Sequence, residues 1–328
     1  MSEVRAKKAL GQHFLVDLNI ARKICDALSG GERPGAGAET RANAAGYAGA
    51  GAETLTKATG TADADAETRR SVAASADARL AADTTAAGAP AAAQEERGGA
   101  VPCDVLEVGC GMGVLTQYLL RRGDITTYGA EIDPESVGYL HAHFPEFAPR
   151  LIEGDFLKMN LRERFPRGLK IIGNFPYNIS SQIFFKVLEH RDLVPECVGM
   201  IQKEVAVRIA EPPGSKEYGI LSVLLQAWYD IEYLFTVNET VFNPPPKVKS
   251  AVIRLRRNSV GRLGCDEALF VKVVKASFGQ RRKMIRNSLR TVFGDFGGAE
   301  HPFFTQRAEQ LSVADFVQLT NWVAANRK

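Results

Sequence analysis

The sequence predicts an α/β chain, a doubly wound sheet followed by a small C-terminal α-helical domain, and three observations carry that prediction. Short apolar runs alternate with stretches of helical spacing from position 105 to about 211. A Gly-x-Gly-x-Gly loop joins the first of these runs to the helix after it. Beyond Gly264 the periodicity is helical to the end, broken at Gly279, Gly294, Gly297, Gly298 and Pro302. Alternating strand and helix favours a mostly parallel sheet with its ligand at the carboxyl ends of the strands.

Taken in order, Asn19 to Leu28 reads as a helix. Between positions 30 and 101 Ala, Gly, Thr, Asp and Glu dominate and large apolar residues nearly vanish. Such a segment buries too little surface to offset its ordering entropy, and it is expected to be a disordered or partly helical insertion. Val105 to Val108 is a strand, Val114 to Leu120 a helix, Thr126 to Ala130 a second strand, and Arg150 to Ile152 the end of a third. Lys170 to Gly173 and Cys197 to Gln202 follow as strands, with helices over Ser180 to Glu189 and Lys203 to Glu211. Tyr218 to Tyr229 reads as a buried helix, and Asp230 to Val237 and Ser250 to Arg257 as antiparallel closing strands. The expected divisions are 1–29, 30–101, 102–260 and 261–328.

The loop Gly109-Cys110-Gly111-Met112-Gly113 sits where strand passes to helix, and glycines there let backbone approach a bulky ligand. Val114 stands where a dinucleotide fingerprint needs its third glycine, so the loop suits a nucleoside without a diphosphate, such as S-adenosylmethionine. Glu131, at the end of the second strand, can accept both hydroxyls of a ribose. Asp155 follows the third strand, where its carboxylate can accept from an adenine amino group while Phe156 covers the ring. Helix N-capping is the other use of an Asp in that place.

Asn174-Phe175-Pro176-Tyr177 combines a short amide, a proline-stiffened carbonyl and an aromatic face. An adenine amine is a poor nucleophile because its lone pair is drawn into the ring, and acceptors can bring that pair out of the plane. Asn174 and the carbonyl beside Pro176 supply acceptors, and Tyr177 supplies a stacking face worth about 1–3 kcal/mol per base. The same tetrapeptide also suits an ordinary strand-to-helix turn.

With further segments, Lys8 to Leu15, Gln202 to Arg208, Phe242 to Val252 and Gln280 to Leu289, these motifs resemble the ribosomal RNA adenine dimethyltransferases of the bacterial 16S type. The resemblance covers residues 5–29 and about 102 to the end. It implies a Rossmann-like S-adenosylmethionine-dependent methyltransferase sheet with a helical RNA-binding domain. It also implies a cofactor site of His13, Leu15, Gly109, Glu131, Asp155 and Asn174, with residues 1–29 closing the pocket. Catalysis would fall to Asn174, Pro176 and Tyr177. The implied substrate is a pair of adjacent adenosines in the 3′-terminal hairpin loop of 16S rRNA, within the 30S subunit precursor. At position 13 the chain carries His where the family more often has Asn, and an imidazole can still donate or accept one hydrogen bond.

The net charge of +3 conceals an asymmetry. Pro245 to Arg290 holds thirteen Lys or Arg against two acidic residues, as a polyanion-binding surface requires. Arg281, Arg282, Lys283, Arg286 and Arg290 fall at helical spacing, with Met284, Ile285 and Leu289 expected on the packed face. Five cysteines lack Cys-x-x-Cys spacing, which argues against a zinc site or disulfide framework. No membrane span or export signal is read, so a cytoplasmic place is expected. Three rivals stand beside this reading: a 23S rRNA methyltransferase of the macrolide-resistance type, a nicotinamide oxidoreductase and a non-catalytic ribosome-assembly factor.

Overall fold

The central strands are apolar almost without interruption, the composition of parallel strands covered on both faces. The computed structural model describes residues 4, 6, 7, 10–30 and 102–327, which lie in one compact unit. Residues 31–101, read above as the insertion, lie outside the described residues. The strands are β1 (Phe14–Leu15), β2 (Cys103–Val108), β3 (Ile125–Glu131), β4 (Leu151–Glu153), β5 (Lys170–Asn174), β6 (Glu196–Gln202), β7 (Tyr229–Val237), β8 (Phe242–Asn243) and β9 (Ser250–Arg257). Seven of them form one sheet in the order β4-β3-β2-β5-β6-β9-β7, and β1 pairs with β8 separately.

β2 to β6 run parallel, while β9 is antiparallel to both β6 and β7. The chain starts at β2, winds outward to β3 and β4, then crosses back to β5 on the other side. The carboxyl ends of β2 and β5 therefore flank the switch point, where an open α/β sheet leaves its crevice.

Helices form where expected, with shifted ends. Leu18–Asp26 is N-capped by Asp17, Ser180–Glu189 follows the Asn-Phe-Pro-Tyr turn, and Lys203–Ala210 follows β6. The helical pattern over 114–120 shortens to Thr116–Leu119, because the loop's turn conformation continues to Leu115. The buried helix expected from Tyr218 to Tyr229 is Ile220–Gln226, and Tyr229 already opens β7.

The C-terminal helices are Glu267–Gly279, Ile285–Phe293 and Val313–Asn326. Their buried residues Phe270, Leu289 and Phe316 belong to the same apolar cluster as Leu106 and Ile171 of the sheet. The helical spacing expected from Arg281 to Arg290 becomes a helix only from Ile285. The chain leaves the helix after Gly279, turns through Gln280 to Met284, and starts again at Ile285. Met284 is the N-cap in an extended conformation (φ −67, ψ 151). It is thereby out of phase with the helix and 52% exposed, while Ile285 and Leu289 are fully buried.

Candidate active site

Gly109, Gly111 and Gly113 all have positive φ, so the loop after β2 turns without side chains. A methyl on Gly113 would stand 2.5 Å from the Phe144 ring, so the loop is packed as well as bent. Glu131 ties this loop to β3. One carboxylate oxygen accepts from Gly111 N at 2.8 Å, the other from Ile132 N at 2.8 Å and Asp133 N at 2.9 Å. Burial pushes its carboxyl up while those three backbone donors pull it down. A carboxylate offers about four acceptor positions, so one direction beside Gly111 remains for a ligand.

Beneath the loop, Glu107 is 2% exposed and accepts from Thr116 Oγ1 at 2.6 Å. Burial raises its carboxyl to about 8, helped by the nearby Glu131 charge. Nothing in the sequence pattern distinguished this buried acid from an ordinary strand glutamate.

Asp155 is a cap, as its place in the chain allows, and it also stands at the pocket. It caps the short turn Phe156–Lys158 by accepting from Leu157 N at 2.9 Å, and it lines the pocket with Gly154 and Phe156. Lys186 secures this wall from the helix Ser180–Glu189. Its Nζ donates to Leu157 O at 2.9 Å and Met159 O at 2.6 Å, and lies 5.5 Å from the centre of the Phe156 ring. The sequence reading missed Lys186, whose only signal was a cation on an otherwise apolar helix face.

Asn174 ends β5 opposite Gly109, and its Nδ2 donates to the backbone carbonyl of His13 at 2.9 Å. A carbonyl can only accept, so the amide is turned one way: nitrogen toward His13, Oδ1 away from it. Pro176 and Tyr177 line the same pocket. Tyr177 bonds Ser250 Oγ at 2.5 Å, and burial pushes its phenol up, so the ring is neutral. The His13 ring stacks on Tyr177 at 5.3 Å and 30°, and its Nδ1 donates to Pro244 O at 2.9 Å.

The N-terminal segment is strapped across the pocket. β1 pairs antiparallel with β8, Phe14 opposite Asn243 and Leu15 opposite Phe242. Lys7 Nζ bonds Asp133 at 2.5 Å, and Gln12 Nε2 reaches the same carboxylate at 3.3 Å. Gly11, Gln12, His13 and Phe14 line the pocket. Leu15 is not among the lining residues; it is 2% exposed in a cluster with Phe242 and Val252, one layer behind the wall. His13, Gly109, Glu131, Asp155, Asn174, Pro176 and Tyr177 are thus brought together, and Leu15 supports them from the core.

Among the basic residues, Arg282 and Lys283 are exposed on the turn before Ile285. Arg281 is half-buried and donates to Tyr218 O at 3.3 Å. Arg286 is paired with Glu300 and lies 5.6 Å from the centre of the Phe304 ring. Among the described residues no group of His, Cys, Asp and Glu could hold a metal, and no helix is long and apolar enough to cross a membrane.

Residues 102–325 match the family model for ribosomal RNA adenine dimethylases. The ribosomal RNA small subunit methyltransferase A of Parabacteroides distasonis is 47% identical over 98% of this chain and 94% of its own length. That of Bacteroides thetaiotaomicron is 59% identical over 67% of this chain and 82% of its own. The crystal structure of a dimethyladenosine transferase from Plasmodium falciparum superposes with a TM-score of 0.57 at 25% identity, covering 68% of this chain and 90% of that one. The chain belongs to the ribosomal RNA adenine dimethylases, S-adenosylmethionine-dependent methyltransferases that act on adenine in rRNA.

Proposed function

We propose that this chain dimethylates the 6-amino groups of two adjacent adenosines in the 3′-terminal hairpin loop of 16S rRNA, acting in the cytoplasm on the 30S precursor. The orientation of the Asn174 amide carries the reading. With Nδ2 spent on His13, the Oδ1 is left as an acceptor beside the glycine loop. That is what an adenine amine requires.

The pocket fits S-adenosylmethionine. A side chain at Gly109 would come within 3.8 Å of Asn174 O and Pro176 Cδ, narrowing a cradle the backbone leaves open. Glu131 keeps an acceptor for a ribose hydroxyl, and Asp155 and Phe156 offer an acceptor and an apolar face to a purine. When bound, S-adenosylmethionine supplies an electrophilic methyl group.

The residues of this chain contribute position and charge complementarity. Asn174 Oδ1 and the backbone carbonyl beside Pro176 accept from the amine and bring its lone pair out of the ring plane. Tyr177 stacks on the extruded base, which costs less to unstack from a loop than from a duplex. The amine sheds its proton after becoming cationic, so no strong base is needed. Arg282 and Lys283, with Arg281 and Arg286 behind them, meet phosphates. The names of the relatives favour the small-subunit substrate over 23S rRNA.

Incubation with labelled S-adenosylmethionine and unmethylated 30S particles, followed by mapping of modified bases, tests this. Two adjacent dimethyladenosines near the 3′ end of 16S rRNA are expected, and label on 23S rRNA alone would move the substrate to the rival class. Asn174→Ala should lower single-turnover methylation about 10²–10³-fold, the scale of losing one transition-state hydrogen bond, and keep particle affinity. Neutralising Arg281, Arg282 and Lys283 together should instead flatten the salt dependence of particle binding, by roughly 0.7–0.9 in slope for each phosphate left unneutralised.

A further inference from the structure

Tyr177 is held at two places, and neither holder belongs to the Asn-Phe-Pro-Tyr turn. Its hydroxyl bonds Ser250 Oγ at 2.5 Å, and its ring lies against His13. Ser250 is fully buried at the first position of β9, where its backbone pairs with Gln202 of β6 and Val237 of β7. Three strands therefore fix the serine before it touches the tyrosine. His13 is fixed from outside the turn by its Nδ1, which donates to Pro244 O, and from within it by Asn174 Nδ2, which donates to the His13 backbone carbonyl.

We propose that Ser250 is a positioning residue for the acceptor base, fixing where the Tyr177 ring lies so that the target adenine can stack on it. This rests on the reading of Tyr177 as the stacking face. A ring anchored only at Cα can rotate about two side-chain bonds; an anchor on the hydroxyl, at the far end, fixes the direction of the ring's long axis, and the His13 ring against its face restrains rotation about that axis. The stacking face is then in place before RNA arrives, and ordering it costs nothing at the moment of binding. The His13 ring supports the same plane from the N-terminal strap, coupling closure of the pocket to readiness of the base site.

A double-mutant cycle on the full chain tests the assignment. Ser250→Ala, Tyr177→Phe and the double variant are compared in single-turnover methylation of 30S particles, with calorimetric titration of S-adenosylmethionine and thermal unfolding on each. Both single variants should slow methylation by about tenfold, the scale of one lost hydrogen bond, with cofactor affinity unchanged. The double variant should be no slower than the worse single, since both remove the same bond. Multiplying effects, or a wild-type rate in Ser250→Ala, would overturn the proposal. If Ser250→Ala does not fold, Tyr177→Phe still decides, because a wild-type rate without the hydroxyl would leave the serine no route to the base. A wild-type protein that fails to methylate adenine would sink the functional reading instead, and the two failures are thereby distinct.

Discussion

The two ends of the central sheet both bury a carboxylate, and only one of them is a site. At the amino ends of β5 and β6, Lys170 and Glu196 face each other at 3.3 Å with side chains 4% and 3% exposed. Lys170 directs its donors to Ser29 O at 3.1 Å, Ser29 Oγ at 2.7 Å and Gly30 O at 2.8 Å. Glu196 accepts from Ser29 N and Ser29 Oγ, with Arg256 at 3.6 Å. Arg122 and Arg254 donate to the carbonyls of Cys25, Leu28 and Ala27 at the C-terminal end of a helix, where carbonyls lack a full set of intrahelical partners. At the carboxyl ends, Glu131 is held by backbone alone and Asn174 spends only its nitrogen. Burial of charge is common to both ends. What distinguishes the carboxyl ends is acceptor capacity left on Glu131 and Asn174, both of which line the pocket.

Breaking the closed end should give the largest effect. Lys170→Met leaves Glu196 buried without its main partner, and one-sided loss of a buried pair costs about 3–5 kcal/mol. Denaturant unfolding should register that loss, while calorimetry on the folded variant finds cofactor affinity unchanged; weakened binding would mean the two ends are coupled. At the open end Glu131→Ala should weaken S-adenosylmethionine binding by about 1.5–3 kcal/mol, the range for hydrogen bonds to a charged group. Unchanged affinity in a folded Glu131→Ala protein would leave Glu131 only its role of tying the glycine loop.

Glu107 gives the most specific test. Its folded carboxyl is raised to about 8 from an ordinary value near 4.5. Between those values the folded state holds a proton that the unfolded state has released, so stability falls as pH rises through that window. Glu107→Gln should flatten the slope of thermal stability between pH 5 and 8 by up to one proton's worth, roughly 1.4 kcal/mol per pH unit. Parallel slopes in the two proteins would place the ionisation elsewhere.

The same contrast explains what the sequence made legible. Gly109, Glu131, Asp155, Asn174 and Tyr177 stand at strand ends in short motifs, so alternating periodicity placed them near one crevice. Ser250, Lys186 and Asp133 act across the fold: Ser250 meets Tyr177 from 73 positions away, and Asp133 meets Lys7 from 126. No local pattern encodes such a meeting. Leu15 was assigned to the pocket by its motif, yet strand alternation turns it to the side opposite Phe14, into the cluster with Phe242. The basic helix begins later than its cations suggest, because the break expected at Gly279 extends as a turn through Met284.

The pairing of β1 with β8 also orders events in time. His13 and Pro244 stand 231 positions apart, so β1 has no strand to pair with until nearly three-quarters of the chain has left the ribosome making it. At about 5–20 residues per second, synthesis of that stretch takes on the order of ten seconds or more. The strand pairing that holds the front wall is therefore completed only once β8 is translated, and a truncated product ending before that strand is expected to bind the methyl donor more weakly.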